Sequence, residues 1–325
     1  MQLKLDRKNY PDVIVVPMYR GTYEDTIIEL PKWHKHSLCC LILYSWLLTD
    51  SDKHYLGVVD LYYLWRHILT NKRESILKQK FLPALVPTSP VLGFPRNDEL
   101  LSTPADFSYW KSKTTKKIIW APHWSVKTNE GLGNFDIFAK PMLQWLKQHS
   151  DIEILLKPHP FLRARLTDKS TIENIARTDK TFVNIPNMTA QEYDAILNEW
   201  RNLPNGNVMD TGDYFGLFQS SDAIILDSIS FMAEYLMVDK PMCFCNRKKS
   251  LSKLQAVFND FGKELLGGMT IANSWDEVEE FISTITNGID THKKRRRQLR
   301  DKYLTLNQGK VGAAIANEIE SSLRA

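Results

Sequence analysis

The chain has 325 residues, 43% hydrophobic and 25% charged, with a formal net charge of +4. That length can bury two separate cores, and the composition excludes a disordered or fibrous chain. The small positive surplus suits an anionic substrate or lipid surface and gives no ground for nucleic acid as a partner.

Met1 to Asn9 is charged and lacks the apolar region of a signal peptide. The first β-rich run is Asp12 to Pro17. The longest apolar run, Leu38 to Leu48, falls short of the roughly 20 residues that cross a bilayer. The expected location is therefore the cytoplasm, with peripheral attachment at the inner membrane face left open. The cysteines form two close pairs, Cys39–Cys40 and Cys243–Cys245, inside apolar runs. Neither pair has zinc-knuckle spacing, and both read as small buried hydrophobes in a reducing compartment.

Five prolines (Pro83, Pro87, Pro90, Pro95 and Pro104) break any periodicity between Leu82 and Phe107. A regular alternation starts after them. Lys117 to Pro122, Ile152 to Lys157, Ala223 to Asp227 and Pro241 to Cys245 are short, nearly continuous apolar runs. Strands covered on both faces have that pattern. Helices are expected between or beside them at Phe135 to His149, Ala190 to Trp200, Tyr214 to Gln219 and Phe231 to Val238. Alternation of this kind predicts a doubly wound parallel sheet. The expected division is residues 1–90 as a short N-terminal α/β domain, 91–110 as a linker and 111–325 as a complete Rossmann-like domain. Lys293 to Arg297 is a basic run on a polar helix, read either as a solvated face or as a contact with anionic lipid.

Three segments carry candidate chemistry, each at the carboxyl end of an expected strand. In Ser221 to Leu236 a buried strand ends at Asp227 and a helix begins near Phe231. Asp227, Ser228 and Ser230 all suit the N-cap. They serve either as caps or beside a phosphate at the positive helix end. In Lys157-Pro-His-Pro160 two prolines fix the backbone around His159. His159 and Lys157 there could bond a diphosphate or stabilise a departing nucleotide, or simply lie on the surface. In Ala121-Pro-His-Trp-Ser125, His123 and Ser125 face the same crevice if the sheet is parallel.

No G-x-x-x-x-G-K-[ST], G-x-S-x-G, H-E-x-x-H or G-x-G-x-x-G motif occurs. No clean Asp-x-Asp follows a strand, so neither a metal nor a cofactor is expected. Asp210 and Asp213 read as a turn and cap around Gly212.

The ordered series Gly93 to Asp98, Ile118 to His123, Lys157 to Pro160, Ser221 to Tyr235 and Lys240-Pro241 resembles the CDP-glycerol glycerophosphotransferase family over about residues 90–320. Gly309 and Gly312 stand where that family starts its final helix. The resemblance implies a GT-B-like α/β fold whose C-terminal domain holds the nucleotide donor. It implies that Asp227, Ser228 and Ser230 lie near the donor phosphates, with His159 beside the diphosphate. It implies Ser125 and Lys157 among the donor contacts, and Glu234 near the ribose or glycerol hydroxyls. His159 would be catalytic, and His123 a second phosphate contact or a proton-transfer group. The implied reaction moves glycerol phosphate from CDP-glycerol, or a related CDP-polyol, to a hydroxyl of a polymer or lipid-linked acceptor and releases CMP. The polymers implied are teichoic-acid-like or capsular.

This sequence has Leu226 and Ser125 where family members often carry Thr or His and Arg. Residues 1–90 read as the latter, truncated part of a larger acceptor-side domain. The family's base histidine belongs to that half, where His34, His36, His54 and His67 stand open as alternatives. Two other readings remain: a GT-B glycosyltransferase using another nucleotide sugar or polyol, and a non-catalytic GT-B-like partner protein.

Overall fold

The computed structural model describes residues 11–16, 36–42, 45–46, 48, 66–68, 90–126, 131–178, 188–210, 212–248 and 250–324. Among these the strands are β1 (Val13–Val16), β2 (Leu38–Ile42), β3 (Arg66–Ile68), β4 (Lys116–Ala121), β5 (Ile152–Leu156), β6 (Gly206–Val208), β7 (Ala223–Leu226), β8 (Met242–Cys245) and β9 (Thr270–Ala272). The helices are α1 (Pro95–Ser102), α2 (Phe135–Leu146), α3 (Leu162–Thr167), α4 (Lys169–Thr178), α5 (Ala190–Asn202) and α6 (Phe215–Ser220). They continue with α7 (Ile229–Met237), α8 (Leu251–Gln255), α9 (Asp260–Leu266), α10 (Trp275–Thr286), α11 (Lys293–Tyr303) and α12 (Val311–Arg324). None of the described helices is long and apolar enough to cross a membrane.

The chain divides into two units, Met1–Ser102 with Asp301–Ala325, and Thr103–Arg300. In the first, β1, β2 and β3 pair in parallel in that order. Buried Cys40, Val311 and Ile315 form its small core, with Val13, Leu38, Ile42 and Ile319 packed against them. The apolar run at Leu38 is thus the start of a strand. His36 is exposed, the side chain of His67 on β3 is not described, and His34 and His54 lie outside the described residues.

The division differs from one drawn at the prolines, and the cause is a clasp. Asp98 on α1 accepts from the amides of Gly309 (2.6 Å) and Val311 (2.7 Å) and so caps α12. Asn97 donates its amide to Leu304 O at 3.1 Å. Gly93 has φ +97°, and a Cβ there would lie 2.5 Å from Leu306 O, so only glycine fits. The Gly93-to-Asp98 motif therefore fastens the last helix to the first unit, and the stretch expected to link domains holds α1.

The second unit has one parallel sheet in the order β6-β5-β4-β7-β8-β9. Its strands and helices fall close to the expected ranges. β6 and β9, three residues each, carry too little apolar pattern to be read from sequence. The chain winds outward from β4 through β5 to β6, then returns to the other side of β4 and continues through β7, β8 and β9. Helices cover both faces, so β4, β5, β7 and β8 are buried almost throughout. On one face Trp120 stacks on Phe135 of α2 at 5.6 Å and meets Trp200 of α5 at 5.4 Å. The one acid inside a central strand, Glu153, accepts from the amides of Lys111 (2.6 Å) and Ser112 (3.0 Å), which answers the cost of burying it.

Candidate functional site

Winding reverses between β4 and β7, and open α/β sheets leave a crevice at that point, beyond the carboxyl ends of the strands. Ala121 pairs with Leu226 and Trp120 with Leu156, so β4, β7 and β5 end level with one another. The next residues along the chain are Pro122-His123, Asp227-Ser228 and Lys157-Pro-His159. The three candidate segments therefore emerge side by side.

Asp227 lies beneath this crevice. It is fully buried, and its two oxygens accept from the amide of His123, the amide of Asn134 (2.6 Å) and the Asn134 side chain (3.0 Å). The same Asn134 Nδ2 lies 3.0 Å from Cys245 O at the end of β8 and 2.7 Å from Leu132 O. Burial pushes the Asp227 carboxyl up to about 7, while its three N–H donors pull the other way. The loop into α2 passes so close that a Cβ on Gly133 would sit 2.4 Å from His123 O. Arg247 closes the far side, bonding Gly133 O at 2.9 Å and both oxygens of Asp136. Asp227 thus ties the ends of β4 and β7 to the start of α2, and through Asn134 to the end of β8.

The two histidines are held as neutral donors. Burial, with His159 and Arg165 nearby, lowers His123 to about 3; burial and Lys157 lower His159 to about 4. His159 Nδ1 accepts from the amide of Phe161 at 3.1 Å. A ring nitrogen that accepts from a backbone N–H carries no proton, so the proton of neutral His159 is on Nε2. His123 repeats the arrangement. Its Nδ1 lies 3.3 Å from the donating Ser125 amide and 2.6 Å from Ser125 Oγ. Since Nδ1 accepts from that amide and carries no proton, the Ser125 hydroxyl donates to it while accepting from the Leu132 amide at 2.9 Å. Ser125 therefore orients His123. The imidazoles meet edge-on at 5.8 Å, and the Arg165 guanidinium lies 4.5 Å from the Trp124 ring between them and α3.

Ser228 is the N-cap of α7 in extended conformation, yet its side chain makes no capping bond. Ser230 follows in the first turn, half-buried. The first-turn N–H groups have no intrahelical acceptor, and with the helix dipole they favour an anion. Lys157 leaves β5 with its ammonium 5.4 Å from the centre of the Tyr214 ring. Burial lowers its pKa, opposed by Asp210 and Asp213. Glu234, in the middle of α7, is 3% exposed and accepts from Tyr214 Oη at 2.6 Å. Asp213 caps α6 by accepting from the Phe215 amide at 3.0 Å, and Gly212 has φ +88°, as expected for a turn and cap.

The residue patterns did not single out Asn134, Gly133, Arg165 and Tyr214. Gly131-Leu-Gly-Asn134 before an apolar helix was the available signal for the first two. Arg165 and Tyr214 have none, since each matters through a neighbour distant in sequence.

Two imidazoles, a lysine and a helix start thus gather at the switch point of a doubly wound sheet, in a fold of the GT-B type that nucleotide-dependent transferases use. The family model for CDP-glycerol:poly(glycerophosphate) glycerophosphotransferases matches residues 86–321, and the chain belongs to that family. No curated protein matches the sequence. Among solved structures, a histidine-to-alanine variant of the wall teichoic acid polymerase TagF is similar at TM-score 0.59 and 15% identity, covering 96% of this chain and 73% of that one. A histidine-to-asparagine TagF soaked with CDPG gives 0.58, 15%, 96% and 73%. S. aureus MnaA with UDP gives 0.57, 14%, 97% and 76%. At such identities the likeness is one of fold.

Proposed function

We propose that the second unit holds the diphosphate of CDP-glycerol at the ends of β4, β5 and β7 and transfers its glycerol phosphate to a hydroxyl of a polymer or lipid-linked primer. The carrying observation is the pair of histidines whose Nδ1 atoms accept from backbone amides, which leaves two Nε2–H donors, with the Lys157 charge acting on His159. The acceptor oxygen attacks the phosphorus that bears glycerol. The bond from that phosphorus to the bridging oxygen breaks, CMP departs, and the acceptor proton passes to a base. His159, the α7 start and Lys157 stabilise the charge that grows on the phosphates. His123 makes a second phosphate contact. Ser228 and Ser230 bond the donor through amides and hydroxyls, and Glu234 accepts from its hydroxyls. Asp227 and Ser125 serve the donor indirectly, by fixing the loop that carries His123. The exposed Lys293, Lys294 and Arg295 on α11 support attachment to an anionic lipid surface that presents the acceptor.

Thermal unfolding with CDP-glycerol, CDP-ribitol, CMP and UDP-glucose tests this reading. At 100-fold excess over its dissociation constant a donor adds about 2.7 kcal/mol of stability. A shift selective for CDP-glycerol, weakened by Ser228→Ala and His159→Ala, is the expected result. His159→Ala should also slow CMP release by about a hundredfold. Unchanged CMP release in that variant overturns the mechanism, and no shift with any nucleotide overturns the function.

A further inference from the structure

Tyr214 sits at the start of α6, between two groups of the donor site that belong to different strand ends. Its hydroxyl donates to Glu234 Oε2 at 2.6 Å, and its ring lies 5.4 Å from the Lys157 ammonium. The ring is held by aromatic neighbours on two helices: Phe215 at 5.2 Å, Phe218 at 5.0 Å and Phe231 at 4.7 Å. A phenol packed on that many sides holds its O–H against the Glu234 carboxylate. It therefore restrains the rotamer of Glu234, whose side chain extends from a helix that begins at β7. A carboxylate has about four lone-pair sites, so it can accept from more than one hydroxyl at once. The face of the same ring attracts a cation, which restrains Lys157 at the end of β5.

We infer that Tyr214 is a positioning residue for the donor: its hydroxyl sets the Glu234 carboxylate for donor hydroxyls, and its ring sets the Lys157 ammonium for the diphosphate. One side chain thereby couples recognition of the polyol or ribose to recognition of the phosphates. The inference rests on the function proposed above and deepens it. Tyr214→Phe keeps the ring and removes the bond to Glu234, whereas Tyr214→Leu removes both interactions.

The test is a double-mutant cycle of Tyr214→Phe with Glu234→Gln, read as kcat and KM for CDP-glycerol, with Tyr214→Leu alongside. Tyr214→Phe should raise KM about tenfold, the value of one hydrogen bond, with kcat nearly unchanged. Glu234→Gln should do the same, and the double variant should be no worse than the poorer single one, because both remove one interaction. Tyr214→Leu should raise KM further and lower kcat as well. A Tyr214→Phe enzyme like the wild type, or single effects that multiply in the double variant, overturns the inference. Calorimetric affinity for CDP-glycerol on the same proteins separates this from failure of the function. A wild type that binds without transferring overturns the reaction, and the cycle is then decided on affinities; a wild type that does not bind overturns both.

Discussion

His123 and His159 lie half-buried at neighbouring strand ends with the same polarity, each accepting a backbone amide at Nδ1. Both therefore take up protons when the chain unfolds in mild acid. Their folded values, about 3 and about 4, lie below the ordinary 6.5, so between about 4 and 6.5 the unfolded chain binds two more protons at these positions. Asp227 acts in the opposite sense, because its folded value of about 7 lies above the ordinary 3.8 and the folded chain binds one proton more. The balance from these three groups is one proton, so stability should rise with pH across that window. Urea midpoints from pH 4.5 to 6.5 would show it, and His159→Gln should leave the profile nearly flat. A profile as steep in His159→Gln as in the wild type would mean that His159 is charged in the fold. Donor binding should itself favour protonation, since a diphosphate beside the imidazoles raises their pKa values. Affinity for CDP-glycerol should accordingly increase as the pH is lowered from 7 toward 5.

The site is set by where helices start. α7 begins at a serine that makes no side-chain capping bond, so Ser228→Ala should alter stability by no more than about 0.5 kcal/mol while weakening donor binding. That contrast, measured by denaturant and ligand titrations on one protein, separates a phosphate contact from a cap. α2 begins at Asn134, whose amide is engaged with Asp227 and the end of β8. Gly133→Ala would press a methyl onto His123 O, so the loop must shift. A cost of about 1–3 kcal/mol is expected, together with a loss of activity out of proportion to it because His123 moves. Activity equal to the wild type in a folded Gly133→Ala protein would show that the His123 loop does not matter to the reaction. α12 depends on Asp98 in the same local way, through two amides at its start.

At the scale of the molecule, every residue given a donor role belongs to the second unit, Thr103–Arg300. Hydrogen exchange with and without CDP-glycerol should therefore show protection at 122–125, 132–134, 157–161 and 228–234, and no change at α1 or α12. Protection concentrated in α1 and α12 would place the donor elsewhere. The reversal of winding between β4 and β7 explains why the donor groups come from β5, β4 and β7. No other set of neighbouring strand ends in this sheet leaves an opening between outgoing connections.

By itself the sequence determined the parallel sheet and the three candidate segments, because both are local properties. Four or five apolar residues between helices mark a buried strand, and a polar residue directly after one lies at its carboxyl end. The order of motifs also carried the family, which the match over residues 86–321 bears out. What only the tertiary structure decided is what each polar residue faces. Asp227 reads from sequence either as a cap or as a neighbour of a phosphate; in the fold it is buried and accepts three N–H bonds that hold loops together. Gly93 to Asp98 looked like part of a domain connection, yet it clasps a helix more than 200 residues further on. Arg165, Asn134 and Tyr214 gain their places through partners remote in the chain. Hydrogen bonds and ring contacts of that kind act over a few ångströms in space and leave no periodicity in the sequence, so folding alone brings them together.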